Sequence, residues 1–192
     1  DFDEEIGVIV VRTKKETNHE KRIKNKIRTS GCAYGTIFGD VLEEFDKKKL
    51  DENIKINSNS IYKILKEVNT YPSLYFKSGA IHGCVLCEGS DPIAYFEDVG
   101  RHNAVDKIAG YMYLEGLMAD NKILYTTGRL TSEMVIKTVL MGIPILLSRS
   151  GFTAWGVELA NKANLTLVGR LRGKRFIVLS GKERIIINKE KG

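Results

Sequence analysis

The chain has 192 residues, 43% hydrophobic and 28% charged, which predicts one domain or one domain with a small extension. No apolar run approaches the roughly 18 residues of a membrane span, and three cysteines with an acidic start favour a reducing, cytoplasmic compartment and no membrane association. The net charge of +6 favours anionic partners, but few aromatic residues lie among the basic ones, which argues for a phosphate-bearing small molecule and against nucleic acid.

The first part of the chain predicts two strands and then a loop. Apolar β-branched residues favour a strand at 6–11, and a weaker alternation favours another at 22–27. Residues 29–39 contain three glycines around Cys32, a composition typical of a loop that approaches a ligand closely. The neighbouring Arg28 makes Cys32 a candidate stabilised thiolate, although a small apolar residue tucked under the loop explains it equally well.

Cys84 and Cys87 form a C-x-x-C pair, which alone would suggest zinc or redox chemistry. The surrounding residues are apolar and precede a turn at 88–92, so they predict the first strand of a hairpin. On a strand, residues i and i+3 point to opposite faces, and the two sulfurs then cannot share a metal ion. His82 would lie on the same face as Cys84.

The most charged junction follows an apolar run at residues 93–96 and precedes a helix-spaced segment. Its charged residues are Glu97, Asp98, Arg101 and His102. Ligands of open α/β folds bind at the carboxyl ends of strands, and charges there are costly to desolvate unless they are paired or used. The alternative is a plain helix N-terminus capped by Asp98 or Asn103, with Arg101 exposed.

The remaining pattern alternates strands with helices. Residues 40–53 read as a surface helix or connector; helices are predicted at 58–69 (capped by Ser58 or Ser60), 131–140 and 153–163, and strands at 122–127, 144–148, 165–168 and 176–179. Such alternation predicts a parallel or mixed sheet covered on both faces. Thr131 or Ser132 with Glu133 suggests a capping box at a helix start that attracts anions.

Arginines follow three successive strands of this pattern, at Arg101, Arg129 and Arg149. Because the ends of these strands would meet at one edge of the sheet, we expect the three side chains to converge there. Charge-assisted contacts to phosphate or pterin-like oxygens suit such an edge. The alternative is a set of surface arginines worth less than about 1 kcal/mol each.

Several of these segments together resemble the FdhD family of formate dehydrogenase accessory sulfurtransferases. The matching segments are residues 97–107, 128–134, 142–146 and 164–169. The resemblance implies a three-layer α/β/α sandwich with a mixed sheet, similar to cytidine deaminases, over residues 58–192. Residues 1–57 would hold the N-terminal strands and the cysteine loop, as the remnant of a smaller subdomain in an N-terminally truncated fragment.

The resemblance also implies a function. Family members take sulfane sulfur from a cysteine desulfurase and pass it to the molybdenum cofactor, bis-molybdopterin guanine dinucleotide, before the cofactor enters formate dehydrogenase. Cys32 matches the persulfide-forming cysteine, while Gly35 replaces a second cysteine that the family loop often carries. A guanine nucleotide would bind as a partial analogue of the cofactor, and a homodimer is expected.

The resemblance, together with our hypothesis for the charged strand ends, assigns site residues in three groups. Cys32 is the catalytic residue. The cofactor-binding residues are Arg101, Arg129, Arg170, Leu171, Arg172, Gly173, Lys174 and Arg175. The supporting residues are His82, Glu97, Asp98, His102 and Asp106. No residue is assigned as a metal ligand.

Two other hypotheses belong to different functional classes. In the first, the chain is a non-catalytic cofactor-binding chaperone for formate dehydrogenase, and Cys32 is incidental. In the second, it is a zinc-dependent hydrolase of the deaminase type. That chemistry needs H-x-E and a later P-C-x-x-C, whereas His82 is followed by Gly83 and Cys84 and no later C-x-x-C occurs.

Overall fold

The structure is a computed structural model that describes residues 2–10, 12, 26–29 and 35–188. The helices are α1 (Gly39–Lys47), α2 (Ser58–Thr70), α3 (Leu74–Ser78), α4 (Arg101–Leu114), α5 (Ser132–Leu140) and α6 (Ala154–Lys162). The strands are β1 (Phe2–Asp3), β2 (Val8–Ile9), β3 (Lys26–Thr29), β4 (Gly35–Phe38), β5 (Ile56–Asn57), β6 (His82–Glu88), β7 (Asp91–Asp98), β8 (Lys122–Thr126), β9 (Ile145–Ser148), β10 (Thr166–Arg172), β11 (Arg175–Ser180) and β12 (Ile185–Ile186). No helix in this part of the chain is both long enough and apolar enough to cross a membrane.

A six-stranded sheet in the order β11-β10-β9-β8-β6-β7 forms the centre of the molecule. Strands β8, β9 and β10 are parallel, β11 is antiparallel to β10, and β6 is antiparallel to both of its neighbours. Two successive antiparallel pairings therefore give β7 the same direction as β8. The carboxyl ends of β7, β8, β9 and β10 consequently lie at one edge of the sheet.

Alternate residues of the sheet pack into two separate apolar cores. On one face, Leu124 and Leu146 pack in a cluster that also contains buried residues of α4, α5 and α6. On the other face, Ile123 and Tyr125 pack with the buried side of α2. Because successive strand residues face opposite sides, a fully apolar strand such as β8 supplies both cores. The predicted mixed sheet and three-layer arrangement are confirmed.

Several local predictions differ from the structure. Residues 35–38, expected in the glycine-rich loop, form β4 and pair antiparallel with β3. The strand expected at 6–11 is shorter, with β2 paired to β1. A glycine-rich segment can form a strand when another strand pairs with it, and local composition does not predict such pairing.

Helix starts also differ from the prediction. Asn57, rather than Ser58 or Ser60, caps α2, because its Oδ1 accepts a hydrogen bond from the Ser60 N–H at 2.7 Å. Thr131 is the N-cap of α5 but makes no capping hydrogen bond through its side chain, so the capping box does not form. Phe45 of α1 is buried in the core beside α4, α5 and α6, so this segment packs onto the sheet domain.

Candidate functional site

The carboxyl ends of four strands bring arginines to one edge of the sheet. Arg101 follows β7 and begins α4, Arg129 follows β8, Arg149 follows β9, and Arg170 lies in β10. Backbone hydrogen bonds join these ends; the Arg170 N–H, for example, donates to the Ser150 carbonyl at 2.9 Å. The edge therefore has the arginine convergence that the strand-end pattern predicted.

Arg101 is buried, contrary to the alternative in which it was exposed. Only 8% of the surface of Arg101 is exposed to solvent. Its Nε and Nη2 atoms have no hydrogen-bond partner in the described structure. Gly128 makes this placement possible, since a Cβ atom at Gly128 would lie only 2.9 Å from the Arg101 Cβ. A guanidinium buried without partners is costly, and a bound anion would supply them.

His82 begins β6 at the same edge, opposite Asp98 of β7. Its Nδ1 atom is buried and has no hydrogen-bond partner among the described residues. Burial lowers the pKa of His82, and the positive charges of Arg101 and Arg129 lower it further. The imidazole is therefore neutral at physiological pH, beside two guanidinium groups.

Glu97 is used inside the protein to hold the short helix α3. Its carboxylate accepts hydrogen bonds from the Leu74 and Tyr75 N–H groups, at 3.0 and 2.9 Å. It also accepts one from the Tyr95 hydroxyl at 2.6 Å. Burial opposes ionisation of Glu97, but hydrogen bonds from Tyr95 and the α3 backbone outweigh it and lower its pKa. Glu97 thus anchors an element rather than facing a ligand.

Asp98 organises the loop that leads into α4. Its carboxylate pairs with the Lys107 ammonium at 2.8 Å and accepts hydrogen bonds from the Gly100 N–H and the Asn103 side chain. These contacts, with that from Lys107 the largest, lower the pKa of Asp98 to about 2. The N-cap of α4 is Gly100, with no capping hydrogen bond from a side chain. Asp98 therefore bridges the turn before α4 and does not cap the helix, which contradicts the alternative of a plain capped N-terminus.

His102 and Asp106 tie α4 to α5. The His102 Nε2 lies 2.9 Å from a Glu133 carboxylate oxygen, and the Lys137 ammonium lies 2.6 Å from Asp106. Burial and the charge of Arg101 lower the pKa of His102, although Glu133 opposes them. Glu133, which the sequence placed in a capping box, therefore orients an imidazole next to Arg101.

A second basic cluster lines a cavity of about 310 Å³ at the β9 and β10 ends. Its lining residues are Arg149, Ser150, Gly151, Arg170 and Arg172. The Arg149 guanidinium carbon lies 5.3 Å from the centre of the Tyr75 ring, and that of Arg170 lies 5.8 Å from the Phe152 ring. Aromatic rings thus hold two of the three arginines at the cavity.

The basic segment 170–175 forms the hairpin between two strands: residues 170–172 end β10, residues 173 and 174 form the turn, and Arg175 begins β11. Arg170 has a φ angle of 53°, rare for a residue other than glycine, at an irregularity in β10. Leu171, which the resemblance placed among the cofactor-binding residues, is fully buried in the core beneath α2. Strand alternation turns its side chain away from the cavity, so Leu171 offers no side-chain surface to a ligand there. Gly173, Lys174 and Arg175 are not among the residues that line it.

The structure describes two of the three cysteines. Cys32 lies outside the described residues. Cys84 and Cys87 are buried in opposite cores, and burial raises the pKa of each thiol to about 12. The two sulfurs therefore cannot share a metal ion. The described residues contain no group of three or more histidine, cysteine, aspartate and glutamate side chains placed to hold one.

Three residues that contribute to the site, Ser150, Gly151 and Tyr75, are not among the site residues assigned from the sequence. Ser150 and Gly151 occupy the junction between β9 and α6, and their position after a strand-end arginine is a signal that could have identified them. Tyr75 lies on α3, far from Arg149 in sequence, and no local signal points to their contact.

Comparisons with known proteins agree with the resemblance. Residues 1–186 match the model of the FdhD/NarQ family. The sulfur carrier protein FdhD of Listeria innocua is 36% identical over 137 residues, which are 71% of this chain and 52% of that protein. The Bacillus subtilis protein of the same name is 28% identical over 185 residues, 96% of this chain and 71% of that protein.

A solved structure agrees with the fold. The crystal structure of a formate dehydrogenase accessory protein from Desulfotalea psychrophila matches with a TM-score of 0.68 and 33% identity, covering 86% of this chain and 73% of that one. The chain spans about half the length of the Listeria relatives it matches. From the family model and these relatives, the chain belongs to the FdhD/NarQ family.

Proposed function

We propose that the protein is a sulfur carrier that serves formate dehydrogenase. In this proposal Cys32 receives sulfur from a cysteine desulfurase, and the arginine edge binds the phosphates of molybdenum bis-molybdopterin guanine dinucleotide, the substrate to be sulfurated. Relatives named sulfur carrier protein FdhD support the role. One structural observation supports the proposed cofactor binding: Arg101 is buried at the edge where the strand ends lie, and its Nε and Nη2 atoms have no hydrogen-bond partner in the described structure.

The sulfur step is a nucleophilic exchange. The Cys32 thiolate attacks the terminal sulfur of the donor persulfide, and the donor S–S bond breaks as the new one forms. The donor sulfur keeps the electron pair and leaves as a thiolate, so Cys32 gains one sulfur atom without net oxidation. Only the thiolate is nucleophilic enough for this reaction, which makes the basic residues near Cys32 in sequence relevant.

The binding step depends on two basic clusters at one edge. Arg101 and Arg129 lie beside His82, and Arg149, Arg170 and Arg172 line the cavity. A guanidinium group donates two parallel hydrogen bonds to a phosphate, which sets orientation as well as affinity. Two clusters suit a substrate that carries more than one phosphate group.

The test distinguishes sulfur transfer to Cys32 from binding at the arginine edge. After incubation with a cysteine desulfurase and cysteine, mass spectrometry is expected to find one added sulfur atom on the Cys32 peptide. The peptides with the buried Cys84 and Cys87 serve as internal controls and should gain none. The variant Cys32→Ala should lose the added sulfur and keep its affinity for a guanine nucleotide.

Two outcomes contradict the proposal. Equal loss of sulfur transfer and nucleotide affinity in Cys32→Ala would refute the separation of the two roles. Nucleotide binding without any sulfur on Cys32 of the unchanged chain would favour the non-catalytic cofactor-binding chaperone.

A further inference from the structure

Three unsatisfied polar atoms belong to two residues at the same edge of the sheet. They are Nε and Nη2 of Arg101 and Nδ1 of His82, all buried and without a hydrogen-bond partner in the described structure. The start of β6, which carries His82, is joined to the end of β8: the Thr127 N–H donates to the Gly83 carbonyl at 2.9 Å, and the Gly83 N–H donates to the Thr127 hydroxyl at 3.0 Å. Gly128, the next residue, contacts the Arg101 side chain. Buried polar atoms in folded proteins are almost always paired, and an oxyanion is a partner that could bond to both residues.

We propose that Arg101 and His82 form one receptor for a doubly charged oxyanion, and that His82 takes up a proton from solvent when the oxyanion binds. The natural oxyanion would be a phosphate of the cofactor, and in this identification alone the inference rests on the proposed function. The binding and its proton uptake can be measured without sulfur transfer.

The charges around His82 explain why it should take up a proton when the anion binds. In the free protein, burial and the charges of Arg101 and Arg129 lower the pKa of His82 and keep it neutral. A bound dianion offsets those charges and offers an oxygen to a protonated Nδ1, which raises the pKa of His82. Affinity should therefore be highest at low pH and fall as pH rises through the His82 pKa of the complex.

The other titratable groups around His82 must be distinguished from it as the source of the proton uptake. Asp98, opposite on β7, is held ionised by Lys107 and its loop contacts. Cys84, two residues along β6, keeps its proton because burial raises its pKa to about 12. His102 on α4 is a second histidine near Arg101, and burial and the charge of Arg101 lower its pKa although Glu133 pairs with it, so the experiment must distinguish His102 from His82.

Sulfate is the appropriate probe, because it remains a dianion between about pH 5.5 and 8.5, the range in which histidine titrates. Calorimetric titration of the full chain in buffers of different ionisation enthalpy measures the protons taken up per sulfate bound. We expect an uptake of up to one proton, and an affinity that falls by about tenfold across the range, equivalent to about 1.4 kcal/mol.

The variants identify the group responsible. His82→Gln retains a hydrogen-bond donor that does not titrate, so its sulfate affinity should be independent of pH apart from any contribution of His102. Arg101→Gln should weaken sulfate binding at least tenfold at every pH, because charge-assisted hydrogen bonds are lost. Arg101→Lys, which keeps the charge without the planar guanidinium, should give an intermediate loss. Lys66→Gln, which removes an exposed charge on α2 outside both clusters, is the control and should leave the sulfate affinity and the proton uptake unchanged.

Thermal unfolding of each variant checks that it is folded. Unchanged proton uptake in His82→Gln would assign the effect to another group and overturn the proposal. So would loss of uptake in Lys66→Gln, or sulfate affinity unaffected in both Arg101 variants. A chain that binds sulfate in this way but gains no sulfur on Cys32 would refute the proposed sulfur transfer and leave the receptor standing.

Discussion

At the scale of single residues, burial decides what the charged side chains can do. Glu97 and Asp98 hold backbone groups, and His102 is paired with Glu133. Arg101 is different, because it is buried and two of its donors are unsatisfied. The charged junction seen in the sequence is thus mostly a scaffold for one guanidinium group and the neighbouring His82.

Gly128 offers a test of Arg101 that removes no charge. In Gly128→Ala, the new Cβ would lie 2.9 Å from the Arg101 Cβ and 3.2 Å from its Cδ, so the arginine must shift. We expect guanine-nucleotide affinity, measured by calorimetry, to fall about tenfold, roughly 1.4 kcal/mol.

The matched control is Gly110→Ala in α4, where a Cβ would meet nothing within 4 Å. That change should stabilise the helix by about 1 kcal/mol and leave affinity unchanged. Unchanged affinity in Gly128→Ala would contradict the role of Arg101 in binding.

At the scale of elements, the short helix α3 connects the edge strand β7 to the second basic cluster. Glu97 of β7 fixes the first N–H groups of α3, and the Tyr75 ring of α3 lies against Arg149. A helix of five residues has little stability of its own. Its position therefore depends on the carboxylate that holds its N-terminus.

Glu97→Gln is expected to weaken guanine-nucleotide binding several-fold. A glutamine side chain has one acceptor oxygen where Glu97 uses two, so one N–H group of α3 loses its partner and Tyr75 no longer holds Arg149 firmly. Tyr75→Leu, which removes the ring, should have a similar effect. Tyr75→Phe is the control and should retain affinity; equal losses in Phe and Leu variants would exclude ring stacking as the cause.

At the scale of the whole molecule, one sheet supplies two cores, and a cysteine marks each of them. Cys84 faces the core shared with α4, α5 and α6, and Cys87 faces the core beneath α2. Both are fully buried, and burial raises the pKa of each thiol to about 12. Because the sheet is common to both, the two cores should unfold together.

Thiol labelling tests this cooperativity in the Cys32→Ala chain, where only Cys84 and Cys87 remain. At pH 8 a thiol with a pKa of about 12 is ionised to about one part in 10⁴, so both should be unreactive in the native protein. In denaturant, both should react with one midpoint, coincident with the loss of circular dichroism. Earlier labelling of Cys87 would show that the α2 layer separates first.

Much of the fold and part of the site could be predicted because they depend on local periodicity. Alternating strands and helices predicted a parallel or mixed sheet covered on both faces, and strand alternation predicted that Cys84 and Cys87 face opposite sides of it. The same periodicity places Leu171 in a core. Its assignment to a binding segment followed from the family resemblance instead.

The sequence by itself determined which residues occupy the strand ends, and hence that arginines would gather at one edge of the sheet. Only the tertiary structure decided that Arg101 is buried against Gly128 and that Tyr75 lies on Arg149. It also decided that Glu133 pairs with His102 instead of capping its own helix. Strand and helix periods are local properties of the chain, whereas burial and pairing depend on which distant segments the fold brings into contact.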